Sequence, residues 1–218
     1  MNRIPPIAPI AKYIIPPICN IWIDKVTGLH NLSKDGPFII APNHSSYIEH
    51  IMISCTVVPH LNKKLLFVAK KEHFEDMTQK LWHRLWNNYI TYVQIDRSKG
   101  EEALKTTLSY LKKGAIIVVY PEGTRTLTGK LQSAKTGVAR LALWAKVPVV
   151  PLGIIGTFQI LPKGKKIPRM KKATLNFGKP LYFDKYYNKK ITKKLLRKIT
   201  NNIMKEIAKL SNQKYEFL

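Results

Sequence analysis

Phe38-Ile39-Ile40-Ala41-Pro42-Asn43-His44-Ser45-Ser46-Tyr47-Ile48-Glu49-His50 is the stretch on which the fold turns. Its first three residues are an apolar run that reads as a buried strand. Ile51, Met52, Ile53 and Cys55 then continue as an apolar helix. The order predicted here is strand, tight turn, helix, with a histidine in the turn and a carboxylate five residues on. Ligands in α/β folds bind at such strand ends. A histidine there can take a proton from a hydroxyl, because its ordinary pKa lies near neutrality. It needs an acidic partner to fix its tautomer and stabilise the imidazolium, and Glu49 is placed for that task. At this spacing the two cannot share one regular helix face. His44 therefore belongs to the turn and Glu49 to the first helical turn, with the acid folded back under the imidazole. A plainer reading stands beside this one. Ser46-Tyr47-Ile48-Glu49 fits the S-x-x-E capping box, which makes Glu49 a helix cap and His44 a solvated loop residue.

Outward from this stretch, strands and helices alternate. Apolar runs at residues 65–69, 89–95, 115–119, 147–156 and 173–177 read as strands. Helical spacing runs over residues 72–88, 101–111, 134–146 and 191–210, the last with Ile199, Ile203, Ile207 and Leu210 as its apolar stripe. The continuous β-branched run at 115–119 is what a central parallel strand requires. The fold class predicted is α/β, a mixed, largely parallel central sheet with helices on both faces and a short N-terminal apolar helical appendage.

The N-terminal segment, residues 1–27, is taken as separate from a domain spanning 28–218. Ile7, Ile10, Ile14, Ile15, Ile18 and Ile21 make it apolar, but Pro5, Pro6, Pro9, Pro16, Pro17 and Lys12 argue against a membrane span. A signal peptide fits poorly, with one basic residue at the start and no small-residue cleavage site. Two readings remain: short helices lying in a membrane interface with Trp22 at headgroup depth, or a hydrophobic arm packed on the domain.

The net charge is +24, from thirty-seven basic against thirteen acidic residues. Between Leu161 and Thr200 fourteen Lys/Arg face a single acid, Asp184. Such a surface meets polyanions: nucleic acid, an anionic membrane surface or acidic soluble partners. The chain shows no nucleic-acid-binding module and no basic–aromatic interleaving of the kind that stacks bases, so no nucleic acid is expected. P-loop, G-x-G-x-x-G and Cys/His zinc spacings are missing too. His50, directly after Glu49, is expected to point elsewhere. Cys19 and Cys55 allow one disulfide at most, and their apolar flanks suggest buried thiols in a reducing compartment.

Four stretches fall in order: Asn43-His44-x-x-x-x-Glu49, Ile95-Asp96-Arg97, Tyr120-Pro121-Glu122-Gly123-Thr124-Arg125 and Val147-Pro148-Val149-Val150-Pro151. The set resembles the glycerolipid acyltransferase family that includes the 1-acyl-glycerol-3-phosphate acyltransferases. That family has an H-x4-D motif, an arginine after a strand, an F/Y-P-E-G-T-R motif and a V-P-V-x-P-V-like motif. The resemblance covers roughly residues 36 to 180. One position departs from it: Glu49 stands where the family usually has Asp, and the extra methylene requires the imidazole to shift or the helix start to adjust.

The resemblance implies a reaction and roles. A fatty acyl group would pass from a thioester donor to the free hydroxyl of 1-acyl-glycerol-3-phosphate, giving phosphatidic acid. His44 would be the general base and Glu49 its orienter. Arg97 and Arg125 would bind the acceptor phosphate, with Gly123, Thr124 and Lys135 contributing, since arginine presents donors to phosphate in fork geometry. Gly123 would offer a backbone N–H and Thr124 a hydroxyl. Asn43 and Glu122 would support the site, Glu122 by holding Arg125 or a loop amide. Taken singly, Arg125 reads as a loop salt bridge with Glu122, and Arg97 as a surface ion pair. The resemblance implies no metal and no bound cofactor. The donor is acyl-CoA or an acyl carrier protein thioester, and the acceptor is a lysophospholipid drawn from a bilayer. That places the protein on the cytoplasmic face of a membrane as a peripheral, monotopic enzyme. The alternatives are an acyltransferase for another lysolipid and a non-catalytic lipid-binding member of the family.

Overall fold

The computed structural model describes residues 17, 20–70, 90–95 and 101–217. Most of residues 1–27, the helix expected over 72–88 and Arg97 lie outside the described residues.

Among the described residues, seven strands form one sheet: β1 (Ile23–Thr27), β2 (Ile39–Pro42), β3 (Leu65–Lys70), β4 (Ile90–Ile95), β5 (Ile116–Val118), β6 (Val149–Ile155) and β7 (Ala173–Phe177). Their order is β1-β7-β6-β2-β5-β3-β4. The pairs from β6 to β4 are parallel, β7 runs antiparallel to β6, and β1 runs parallel to β7. This is the mixed, largely parallel sheet expected. Ile23–Thr27, assigned from the sequence to the N-terminal segment, is the edge strand. Trp22, just before it, packs half-buried against the core rather than standing clear of the domain.

Alternation along the central strands builds two cores. Ile39, Leu66, Ile117 and Val149 belong to one; Ile40, Leu65, Phe67, Ile116, Val118 and Val150 belong to the other. Successive strand side chains point to opposite faces, so a run that is apolar at every position demands cover on both. Helix α1 (Ile48–Leu61) covers the second face through Met52, Ile53, Val57 and Val58. The first face is covered by α2 (Glu101–Lys112), α3 (Gly137–Ala145) and, after the four-residue α4 (Thr157–Ile160), by α5 (Lys193–Leu210). The stripe Leu196, Ile199, Ile203 and Ile207 of α5 is buried, and Thr192 caps its start by accepting from the Leu195 N–H at 3.2 Å. The end of α5 sits directly on β6: a Cβ at Gly153 would lie 2.2 Å from the Leu210 carbonyl carbon, so only glycine fits there.

Prolines in the strand region still act as acceptors. The Pro148 carbonyl accepts from the Ile39 N–H, and Pro151 in β6 accepts from the Gly178 N–H. Cys55, buried in α1, is disulfide-bonded rather than the thiol expected. Among the described residues no helix is long and apolar enough to cross a membrane, and no group of three His, Cys, Asp or Glu could hold a metal ion.

Candidate active site

Residues 43–47 connect β2 to α1 at the carboxyl end of the parallel strands. Asn43 starts the turn and is buried. Its side chain continues the β2–β6 ladder beyond the strand, donating to the Ile154 carbonyl at 2.9 Å and accepting from the Ile154 N–H at 2.7 Å. His44 comes next, its side chain 12% exposed. Its Nδ1 lies 2.8 Å from Glu49 Oε2. Donation from Nδ1 to the carboxylate leaves Nε2 as the unprotonated nitrogen. Nε2 has no hydrogen-bond partner among the described residues.

Glu49 is fully buried in the first turn of α1. Four contacts converge on its Oε1: the Ser45 N–H at 2.9 Å, the Ser45 hydroxyl at 2.8 Å, the Ser46 N–H at 2.9 Å and the Thr157 hydroxyl at 2.7 Å. The capping reading and the dyad reading are therefore compatible. One oxygen satisfies the orphan N–H groups at the helix start, and the other faces the imidazole. A buried carboxylate is tolerated only when it is so surrounded.

The loop after β5 closes the site. Tyr120 stacks on His44 with ring centroids 3.7 Å apart and planes inclined by 24°. Glu122 is buried and holds two backbone segments together. It accepts from the His44 N–H at 2.8 Å through Oε1, and from the Gln132 N–H at 2.9 Å through Oε2. Burial pushes its pKa up to about 7, against the opposing pull of those hydrogen bonds, with a further push upward from the charge of Glu49. Of the two partners expected for Glu122, it takes loop amides and not Arg125.

Arg125 instead lies over the Tyr47 ring, its guanidinium carbon 3.4 Å from the ring centroid. Burial pushes its pKa down, while the Tyr47 hydroxyl and the charge of Glu49 pull it up. Gly123 adopts φ +71, a conformation glycine takes without strain. Its N–H is used within the turn, donating to the Tyr120 carbonyl at 3.1 Å, so it is not the free donor expected from the sequence. It is the positive φ, not crowding, that favours glycine here: a Cβ would make only ordinary contact with the Lys135 side chain, 3.4 Å away. Thr124 and Lys135 are exposed. Gly123, Thr124 and Arg125 lie in the loop that joins His44 through the Thr126 N–H, which donates to the His44 carbonyl at 2.9 Å, and Lys135 packs against Gly123.

Some residues at the site carry no sequence signal. His50 is not turned away: its ring lies 5.8 Å, centroid to centroid, from His44 and 5.1 Å from Tyr120. Thr157 reaches Glu49 from 108 residues away. Only the sheet, which sets β2 against β6, brings α4 to this turn.

The family model described as Acyltransferase matches residues 24–155, more than half of the chain. The chain belongs to this acyltransferase family. A Bacillus subtilis 1-acyl-sn-glycerol-3-phosphate acyltransferase is 31% identical over 159 residues, covering 72% of this chain and 73% of the relative. The chloroplast 1-acyl-sn-glycerol-3-phosphate acyltransferase LPAT1 of Arabidopsis thaliana is 32% identical over 144 residues, 65% of this chain but only 38% of the plant protein. The crystal structure of PlsC from Thermotoga maritima, a 1-acyl-sn-glycerophosphate acyltransferase, superposes with a TM-score of 0.68 at 25% identity, covering 94% of this chain and 83% of that one. The acyltransferase match spans β1 to β6 and so includes His44, Glu49 and the loop that carries Arg125.

Proposed function

We propose that this acyltransferase moves a fatty acyl group from a thioester donor to the free hydroxyl of 1-acyl-glycerol-3-phosphate, giving phosphatidic acid and a free thiol. The observation that supports the reading is the 2.8 Å contact between His44 Nδ1 and a fully buried Glu49, with Nε2 then available to act as the base. The substrate is supported by the names of the relatives in Bacillus subtilis, Arabidopsis thaliana and Thermotoga maritima.

In this mechanism His44 Nε2 takes the proton of the acceptor hydroxyl as its oxygen attacks the thioester carbonyl carbon. The C–O bond forms and the carbonyl becomes a tetrahedral oxyanion. Collapse breaks the C–S bond, and the imidazolium returns the proton to the departing sulfur. A thioester is already activated, so no covalent enzyme intermediate is required. What the site supplies is a positioned base and a charge near the base that stabilises the imidazolium. Arg125, with Thr124 and Lys135 beside it, binds the acceptor phosphate, and Arg97 is assigned the same task. The acceptor is drawn from a membrane on which the protein sits peripherally, at its cytoplasmic face, with the apolar segment before β1 contributing to attachment.

The test is acceptor-dependent thiol release in mixed micelles, with acyl-CoA and with acyl carrier protein thioester as donors. Release that requires 1-acyl-glycerol-3-phosphate and is lost in His44→Ala supports the reading. A folded protein that releases no thiol from either donor overturns it.

A further inference from the structure

We propose that the connection between β6 and β7, residues 161–172, is a docking loop that presses the active-site end of the sheet onto an anionic lipid bilayer. The proposal deepens the functional reading above and rests on it only in taking the acceptor from a membrane. Ile167 is 83% exposed and Met170 is 76% exposed, the two highest values for large apolar side chains among the described residues. Around them, from Leu161 to Lys172, stand six Lys/Arg and no acid, all six exposed. Apolar side chains that enter the acyl boundary, combined with cations for the headgroups, are the two signals that hold a protein at an anionic membrane. A nucleic acid would use the cations but not Ile167 or Met170, and this stretch offers no aromatic ring on which a base could stack.

The loop is held in shape at its root. The Arg169 N–H donates to the Ile160 carbonyl at 2.9 Å, and the Lys165 N–H to the Pro162 carbonyl at 3.1 Å. It is also joined to the active site. The Ser46 hydroxyl donates to the Leu161 carbonyl at 2.6 Å, and Thr157, one turn earlier, donates to Glu49. The register Ile155↔Thr174 returns the chain at the carboxyl end of β6, the end from which His44 projects. Leu127, also exposed, follows β5 at the same end. The loops touch as well, since a Cβ at Gly129 would lie 3.1 Å from the Phe158 ring of α4. Insertion of Ile167 and Met170 would therefore bring the mouth of the His44 site to headgroup depth, where a lysophospholipid presents its hydroxyl and phosphate.

The experiment compares the full chain with the double variant Ile167→Ser, Met170→Ser by co-sedimentation with two vesicle types. One is phosphatidylcholine containing phosphatidylglycerol, and the other is phosphatidylcholine alone. Wild type is expected to bind the anionic vesicles preferentially, and the double variant to bind them at least roughly tenfold more weakly. The thermal midpoint should not move, because neither side chain is buried in the folded protein. Acyl transfer to a short-chain acceptor dissolved as monomers should be unchanged, while transfer to a vesicle-embedded acceptor falls in parallel with binding. A double variant that binds like wild type overturns the proposal, and so does a wild type that ignores both vesicle types. If no acyl transfer occurs with any acceptor, the functional reading fails while the binding comparison still decides the loop.

Discussion

Glu49 meets His44 with one oxygen and the backbone with the other. Oε2 lies 2.8 Å from His44 Nδ1, while Oε1 takes the N–H groups of Ser45 and Ser46 and the hydroxyl of Thr157. This division shows how a glutamate occupies a position where the resemblance leads one to expect an aspartate. The longer side chain spans the distance from the second residue of α1 back to the imidazole while still closing the helix start.

Shortening that side chain should therefore separate the two tasks. Glu49→Asp cannot keep both oxygens in place on this backbone, and kcat is expected to fall by about tenfold, with roughly 1–2 kcal/mol lost from stability. His44→Ala removes the proposed base and should lower kcat by about 10²–10⁴, with stability nearly unchanged. Thiol release and a denaturant midpoint on the same preparations check both. A Glu49→Asp enzyme as active and as stable as wild type would show that the two-oxygen arrangement is not used.

In the proposed mechanism Thr157 positions Glu49, to whose Oε1 its hydroxyl donates at 2.7 Å. Thr157→Val keeps the shape of the buried side chain and deletes one donor to Oε1. The expected loss of stability is roughly 1–2 kcal/mol, and the lower limb of the kcat–pH profile should shift, because the carboxylate that supports the imidazolium is less firmly held. Thr157→Ser should restore the profile. A variant that lowers stability but leaves the pH profile in place would limit Thr157 to a structural role.

Arg125 and Tyr47 should act on the acceptor rather than on the chemistry. Arg125→Ala is expected to raise the KM for 1-acyl-glycerol-3-phosphate by at least about tenfold, since charge-assisted bonds to phosphate are the strong ones. Arg125→Lys should recover part of that loss, because lysine keeps the charge but not the fork. Tyr47→Leu removes the ring beneath the guanidinium and should cost only about two- to fivefold in KM. Initial rates against acceptor concentration, with the donor saturating, measure all three.

Glu122 gives stability a pH dependence of unusual sign for a carboxylate. Its folded pKa is raised from 4.5 to about 7 by burial, so the folded protein holds this proton more tightly than the unfolded chain does. The contribution is fully present below pH 4.5 and is lost as the pH rises through about 7, a change of roughly 3 kcal/mol across that window. The difference between wild type and Glu122→Gln isolates this contribution. Denaturant midpoints at several values between pH 4.5 and 8 should show the wild type losing ground to the variant as pH rises. A constant difference would mean that Glu122 stays charged throughout.

The sequence by itself determined the alternation of strands and helices, because a two-sided core requires runs that are apolar at every position. Ile39-Ile40 and Ile116-Ile117-Val118 carry that pattern within a few residues. It also placed His44 and Glu49 on either side of a turn, since both lie in one continuous stretch. Other features depended on contacts between residues far apart in the chain, and there the local pattern is silent. Ile23–Thr27, with Asp24 and Lys25 at its centre, does not read as a strand, yet it pairs with β7 at the sheet edge, where half-exposed residues are tolerated. The antiparallel direction of β7 is set by its pairing with β6, not by its own residues. The stacking of Tyr120 on His44, the proximity of His50, the Thr157 contact with Glu49 and the use of Glu122 to tie His44 to Gln132 all join segments that only the sheet brings together. Hydrophobic periodicity is a local property and can be read residue by residue. The side chains around His44 are selected by three-dimensional neighbours, and those neighbours exist only once the strands have found their order.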